Sequence, residues 1–203
     1  MSDRTTEAIL DATRASVLDF GIRRTTLTDV ARRAGVSRMT VYRRYPDVDA
    51  VLRDLMTREF GRAMAEIAAR VDGDDGRRRV VDRLLAGVAA FRANPLMSKV
   101  VEAEPELLLP YVVGRMGETQ RAAVELVAAD VASGQQDGSI RGGDARVIAQ
   151  ALLLVTQSFV LSSGISEDIP EASLLEELAL LVDATLRPPP DQPRMRSRRR
   201  RST

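Results

Sequence analysis

The sequence predicts an all-α fold: an N-terminal three-helix unit built on a helix-turn-helix pair, then a larger C-terminal helical domain. Three observations lead there. Apolar residues recur at spacings of three and four along most of the chain, and no segment alternates convincingly as a strand does. Between Thr26 and Pro46, two short helical patterns flank a glycine, each preceded by a capping residue. Charge is also segregated: residues 1–46 hold nine arginines against five acids, residues 47–190 hold fifteen basic residues against twenty-three acids, and residues 191–203 hold six arginines against one aspartate. The ends attract polyanions and the middle does not. The expected units are therefore a helix-turn-helix domain at 1–46, a helical domain at 47–187 and a Pro/Arg-rich disordered tail at 188–203.

Asp3 to Phe20 form the first helix, with Ile9, Ala12, Ser16, Val17 and Phe20 as its buried stripe and Gly21 ending it. In the pair that follows, Leu27, Val30, Ala31 and Ala34 lie at i, i+3, i+4 and i+7 behind Thr26 as N-cap, and Gly35 stops the helix. Ser37 caps the next segment, which turns Val41 and Tyr45 inward while Arg38, Thr40, Tyr42, Arg43 and Arg44 point outward. Two short helices around a glycine turn, the second crowded with donors and cations, read as helix-turn-helix; the bland alternative is a helical hairpin with a solvated basic face.

The stretch TTLTDVARRAGVSRMTVYRRYPD resembles the TetR family signature, a TT-x-x-x-I-A-x-x-A-G-V-S segment running into a recognition helix of the form T-x-Y-x-x-F. Thr25, Thr26, Val30, Ala31, Ala34, Gly35, Val36, Ser37, Thr40, Tyr42 and Tyr45 fall on those positions. Three positions depart from it: Met39 stands where glycine or proline is usual, Arg44 where histidine is frequent, and Val48 where many relatives carry a phosphate-binding lysine. The resemblance implies a regulator that binds double-stranded DNA as a homodimer. Arg38, Met39, Thr40 and Arg43 are the expected base-edge readers, Thr26, Tyr42 and Arg44 the phosphate contacts, and Ser37 a cap that also reaches phosphate. One such helix reads only a few base pairs, so a two-fold axis and a palindromic operator follow.

Beyond Pro46 and Asp47, which break and recap the chain, Val51, Leu52, Leu55, Met56, Phe60, Met64, Ile67 and Val71 hold one stripe over about five turns. A helix this long transmits a tilt as a lever. DGDDG at 72–76 closes it; a helix then carries Val80, Val81, Leu84, Leu85, Val88 and Phe91, a short one runs Pro95 to Glu102, and another runs Leu107 to Val131, with breaks near Pro110 and Gly114 left open. Residues 133–144 are expected as a loop ending in Asp144, the next N-cap.

Ala145 to Ser163 carries two stripes, one with Ile148, Leu152, Val155 and Phe159, the other with Val147, Ala151, Leu154, Ser158 and Leu161, so it must be covered on two sides. The last helix, Ala172 to Leu186, offers Leu174, Leu175, Leu178, Leu181, Val182 and Leu186. Val147, Ala151, Leu154, Ser158, Leu161, Leu174, Leu178 and Leu181 are the expected homodimer interface, where TetR-like proteins also pair; the alternative is a thicker monomeric core. The arginine-rich tail reads either as a phosphate-binding arm or as a solubilising end.

TetR-like regulators enclose a ligand between the lever helix and the apolar helix at 145–163. Candidate lining residues are Phe60, Met64, Phe91, Met97, Val101, Tyr111, Met116, Leu152 and Phe159, each equally at home in a plain core. Aromatic content of 3% and several methionines suit an adaptable apolar cavity for a small-molecule effector. Glu102, Glu104 and Glu106 offer a counter-charge, although an acidic run is ordinarily a solvated helix end. With no Cys and no His there is no basis for zinc sites, disulfides or histidine catalysis, no catalytic constellation of the remaining side chains is recognisable, and neither a metal nor a cofactor is expected. Lacking a leader or spanning segment, the chain is expected in the cytoplasm, not in a membrane. The leading expectation is a ligand-released repressor; the alternative is a regulator gated by a protein partner, or ungated, whose second domain only dimerises.

Overall fold

The computed structural model describes residues 3–73, 75–103, 116–162 and 168–190. Among these residues the secondary structure is helical throughout: α1 Asp3–Phe20, a 3₁₀ turn Ile22–Arg24, α2 Leu27–Arg33, α3 Arg38–Tyr42, α4 Val48–Arg70, α5 Gly76–Ala93, α6 Pro95–Ala103, α7 Glu118–Gln136, α8 Ala145–Ser162 and α9 Glu171–Leu186. Tyr111, Glu104, Glu106 and the arginine-rich end lie outside the described residues, as does most of the segment before α7.

Two apolar cores organise these helices. The first joins Ile9, Leu10 and Val17 of α1 and Val30 and Ala31 of α2 to Val41 of α3 and Val51, Leu52 and Leu55 of α4. It also takes Leu96, Met97 and Val100 from α6, which packs back on α1 from far along the chain. Lys99 Nζ donates to the Leu18 carbonyl at the same junction. The second core is formed by α5, α7, α8 and α9, with Val80, Val88, Val131, Ile148, Leu178 and Leu186 among its members. Along α4 the charges add a clamp: Arg58 meets Glu7 at 3.1 Å, Asp11 at 2.8 Å and Glu59 at 3.2 Å, and Arg14 meets Glu59 at 3.3 Å.

Glycine decides one contact between helices. A Cβ on Gly76 would stand 2.3 Å from Gly134 Cα, so the start of α5 crosses α7 backbone to backbone. The Gly76 N–H donates to Asp137 Oδ2 at 2.9 Å and the Arg77 N–H to Ser139 Oγ at 3.1 Å, closing the junction. The Ser139 hydroxyl first, then the Gly76 and Ser139 N–H groups, hold the Asp137 carboxyl below the ordinary carboxylate range.

Several expectations change. Phe20 is 51% exposed and outside the buried stripe, because α1 ends there; its ring carries the Arg33 guanidinium 5.0 Å from the centroid. Residues 133–136 continue α7 and are not loop. Val155 is exposed, since the buried face of α8 is Ile148, Ala149, Leu152 and Thr156. Leu178 is 0% exposed inside the second core and cannot form an interface with another chain. By length and composition α8 is apolar enough to cross a membrane, but one face of it is packed into this core.

Candidate nucleic-acid interface and central cavity

The α2–α3 turn is specified residue by residue. Thr26, in extended conformation, accepts from the Asp29 N–H at 3.1 Å and so caps α2; its hydroxyl donates to Asp29 Oδ2 at 2.7 Å. That hydroxyl is the largest cause holding Asp29 below the ordinary carboxylate range. At the other end Gly35 adopts φ +66°, the Val36 N–H donates to the Ala31 carbonyl at 3.1 Å and the Gly35 N–H to that of Arg32 at 3.4 Å. This is a Schellman closure, which needs a residue at ease in the left-handed region. Ser37 Oγ then accepts from the Thr40 N–H at 3.1 Å and lies 2.7 Å from Thr40 Oγ1.

Val41 is the one buried residue of α3, and of the others only Thr40 is half-buried. Arg38, Met39, Tyr42, Arg43 and Arg44 are exposed, Met39 at 74%. Arg38 and Arg43 have no hydrogen-bond or ion-pair partner among the described residues, which leaves two guanidinium forks available to an external acceptor. Arg44 is partly engaged: its Nε donates to the Tyr45 hydroxyl at 3.3 Å, and that hydroxyl donates to Asp54 Oδ2 at 3.1 Å. Burial pushes the Tyr45 phenol above its ordinary value, and the ring anchors the end of α3 to α4. The eight residues expected at the DNA surface thus fall on one short segment, with Thr26 turned toward Asp29 and Thr40 half-buried beside Ser37.

Behind this module lies a cavity of about 720 Å³, walled by α4, α5, α6, α7 and α8. Phe60, Met64, Phe91, Met97 and Met116 line it, and the Phe60 and Phe91 rings stack at 5.6 Å. Three expected positions do not. Val101 yields to Val100, while Leu152 and Phe159 belong to the second core. The reason is helical phase: α8 turns Leu153, Thr156, Gln157, Val160 and Leu161 to the cavity instead. Leu161, expected at the interface, lines the cavity and is half-buried. Val147, Ala151, Leu154 and Ser158 remain on an exposed face of α8, with Leu181 52% exposed and Leu174 half-buried on α9. Sequence reasoning also missed the polar lining residues Glu59, Asn94 and Gln157, which no periodicity distinguishes from solvated positions.

A capped, Schellman-closed helix pair presenting unpaired arginines on its second helix defines a helix-turn-helix DNA-binding module. Residues 9–55 match the family model described as "Bacterial regulatory proteins, tetR family". Uncharacterized HTH-type transcriptional regulators of Mycobacterium bovis and Mycobacterium tuberculosis are 37% identical to it over 177 residues, 87% of this chain and 88% of theirs. Among solved structures, the transcriptional repressor QsdR of R. erythropolis aligns with a TM-score of 0.66 at 16% identity, covering 92% of this chain and 98% of its own. The fatty acid degradation regulator FadR of Bacillus halodurans aligns at 0.65 and 17% identity, covering 92% and 98%. The chain belongs to the TetR family of DNA-binding transcriptional regulators.

Proposed function

We propose that the protein is a cytoplasmic homodimeric repressor that binds a palindromic operator and is released from it by a small, mainly apolar molecule. The observation that carries this reading is the cavity: at about 720 Å³ it is of ligand size, and two of its walls, α4 and α6, also supply the core of the helix-turn-helix unit. A molecule that favours one packing of α4 and α6 therefore biases the tilt of α3. A differential of roughly 1–3 kcal/mol between tilts shifts operator affinity about five- to 150-fold. Two-fold pairing through the exposed faces of α8 and α9, with Val147, Leu154 and Leu181, sets the spacing of the two recognition helices. Arg38, Met39, Thr40 and Arg43 read base edges; Thr26, Ser37, Tyr42 and Arg44 hold the backbone.

The test is fluorescence anisotropy of the operator complex, with the operator obtained by selection from random DNA, challenged with a panel of small apolar compounds. Release by a member that also raises the protein's melting temperature supports ligand gating. Affinity indifferent to the whole panel favours gating by a protein partner.

A further inference from the structure

One buried charge on the cavity wall is unmatched among the described residues. Arg79 and Arg83, one turn apart on α5, share a single carboxylate: Arg79 Nε donates to Asp130 Oδ1 at 3.2 Å and Arg83 Nη1 donates to Asp130 Oδ2. Arg79 directs its Nη1 to the Gly73 carbonyl at 3.2 Å and its Nη2 to Ser133 Oγ at 3.0 Å. Asp137, whose carboxyl feels the Arg79 charge, is exposed and already accepts from the Gly76 and Ser139 N–H groups at 2.9 and 2.8 Å. Arg83 makes no other bond among the described residues: its Nε is sealed away without a partner, and its Nη2 is open and equally unpartnered. Only 13% of the Arg83 side chain and 10% of that of Asp130 are accessible, so solvent screens this excess poorly.

The excess lies on the cavity face of α5. Arg83 lines the cavity together with Leu84, Gly87, Val88 and Phe91, which recur at helical spacing, and Asp130 stands one turn beyond Val127 of the α7 wall. The other buried charge in the lining, Glu59, is engaged on both oxygens: Arg14 lies at 3.3 Å, Arg58 at 3.2 Å and Asn94 Nδ2 at 3.5 Å. The remaining charged lining residues, Asp49, Arg53, Asp54, Glu118 and Arg121, are exposed and of both signs. Around these groups the wall is apolar, with Phe60, Met64, Val160 and Leu161 among its members. A cation in this interior would meet the uncompensated guanidinium and find no free carboxylate, and an uncharged head would leave that guanidinium as it stands. A monoanion would accept from Nη2 in a charge-assisted bond and cancel the single charge in excess.

We infer that the effector is an apolar molecule carrying one carboxylate, and that Arg83 Nη2 donates to that carboxylate. This rests on the ligand-gated reading and gives its site a chemistry. The test measures calorimetric binding of octanoate, octanol and octylammonium at neutral pH to the full-length protein, to its Arg83→Gln and Arg83→Met variants, and to an Arg53→Gln/Arg121→Gln double variant, with circular dichroism as the check on folding. Arg79 still neutralises Asp130 in both Arg83 variants. The parent should bind octanoate at least about ten-fold more tightly than octanol or octylammonium. Loss of Arg83 should bring octanoate down to the affinity of octanol with octanol itself unchanged, whereas the double variant, altered only at exposed positions, should keep the whole preference. A parent that prefers octanol or octylammonium, a folded Arg83 variant that still prefers octanoate, or a preference lost with Arg53 and Arg121 overturns the assignment. If neither Arg83 variant folds, the parent's preference and its retention in the double variant decide the matter. Operator anisotropy separates this inference from the reading beneath it. Octanoate bound through Arg83 without release of the operator contradicts ligand gating and leaves the carboxylate site standing; release by an uncharged compound with octanoate unbound overturns the carboxylate site and sustains gating.

Discussion

Arg43 stands exposed and unpaired at the C-terminal end of α3, so its replacement costs no internal side-chain contact and its loss should be felt only by DNA. Arg43→Ala should lose on the order of 1–3 kcal/mol of discrimination at one position per half-site, and Tyr42→Phe should weaken all sequences alike. Selection from random DNA with each variant decides between these roles; an Arg43→Ala protein that selects the parent's motif with the same information at every position removes Arg43 from the base readers. Thr26 carries a second, pH-dependent expectation. Thr26→Ala loses the cap of α2, worth about 0.5–2 kcal/mol. It also releases Asp29, whose carboxyl the Thr26 hydroxyl holds below the ordinary range. A carboxyl depressed in the folded state contributes stability above the ordinary carboxylate pKa and loses it as pH falls through the folded value. The stability gap between parent and Thr26→Ala should therefore narrow on acidification; denaturant midpoints at neutral and acid pH measure it, and a gap that widens contradicts the assignment. Thr26, Gly35, Ser37 and Asp47 were legible because each acts within a few residues of itself. Gln157 was not, since only the fold turns that position to the cavity.

At the scale of elements, the interface and the core must be told apart on two adjacent helices. Leu181 is exposed and Leu178 fully buried, three residues away on α9. Leu181→Arg should yield a folded monomer with little operator affinity, whereas Leu178→Arg buries an unpaired charge and should lower the melting temperature sharply or prevent folding. Light scattering and thermal melts separate the two; a dimer of unchanged operator affinity from Leu181→Arg removes α9 from the interface. Where α5 crosses α7, Gly76→Ala forces the backbones apart and should cost about 1–3 kcal/mol. The helices themselves could be read from periodicity and caps. Their faces could not always be: α8 is apolar around most of its circumference, so sequence allows either of its stripes to be core, and packing against α7 settles which. The docking of α6 on α1 joins residues about eighty positions apart, beyond the reach of any local pattern.

For the molecule as a whole, charge and cavity make separate predictions. The segment at 191–203 lies outside the described residues, but its six arginines against one aspartate should add sequence-independent phosphate attraction. Deleting it should make the slope of log affinity against log salt shallower with the preferred operator unchanged; an unchanged slope assigns the segment a solubilising role. Ligand gating is tested most directly without knowing the ligand, through Gly87, which lines the cavity from α5 and has nothing within 4 Å of an added Cβ. In Gly87→Phe the ring would fill the cavity as an effector would, so under the proposed gating the variant should fold and dimerise as the parent does yet bind the selected operator at least about five-fold more weakly, corresponding to about 1 kcal/mol or more of coupling. A folded, dimeric Gly87→Phe protein with the parent's operator affinity would contradict the coupling of this cavity to DNA.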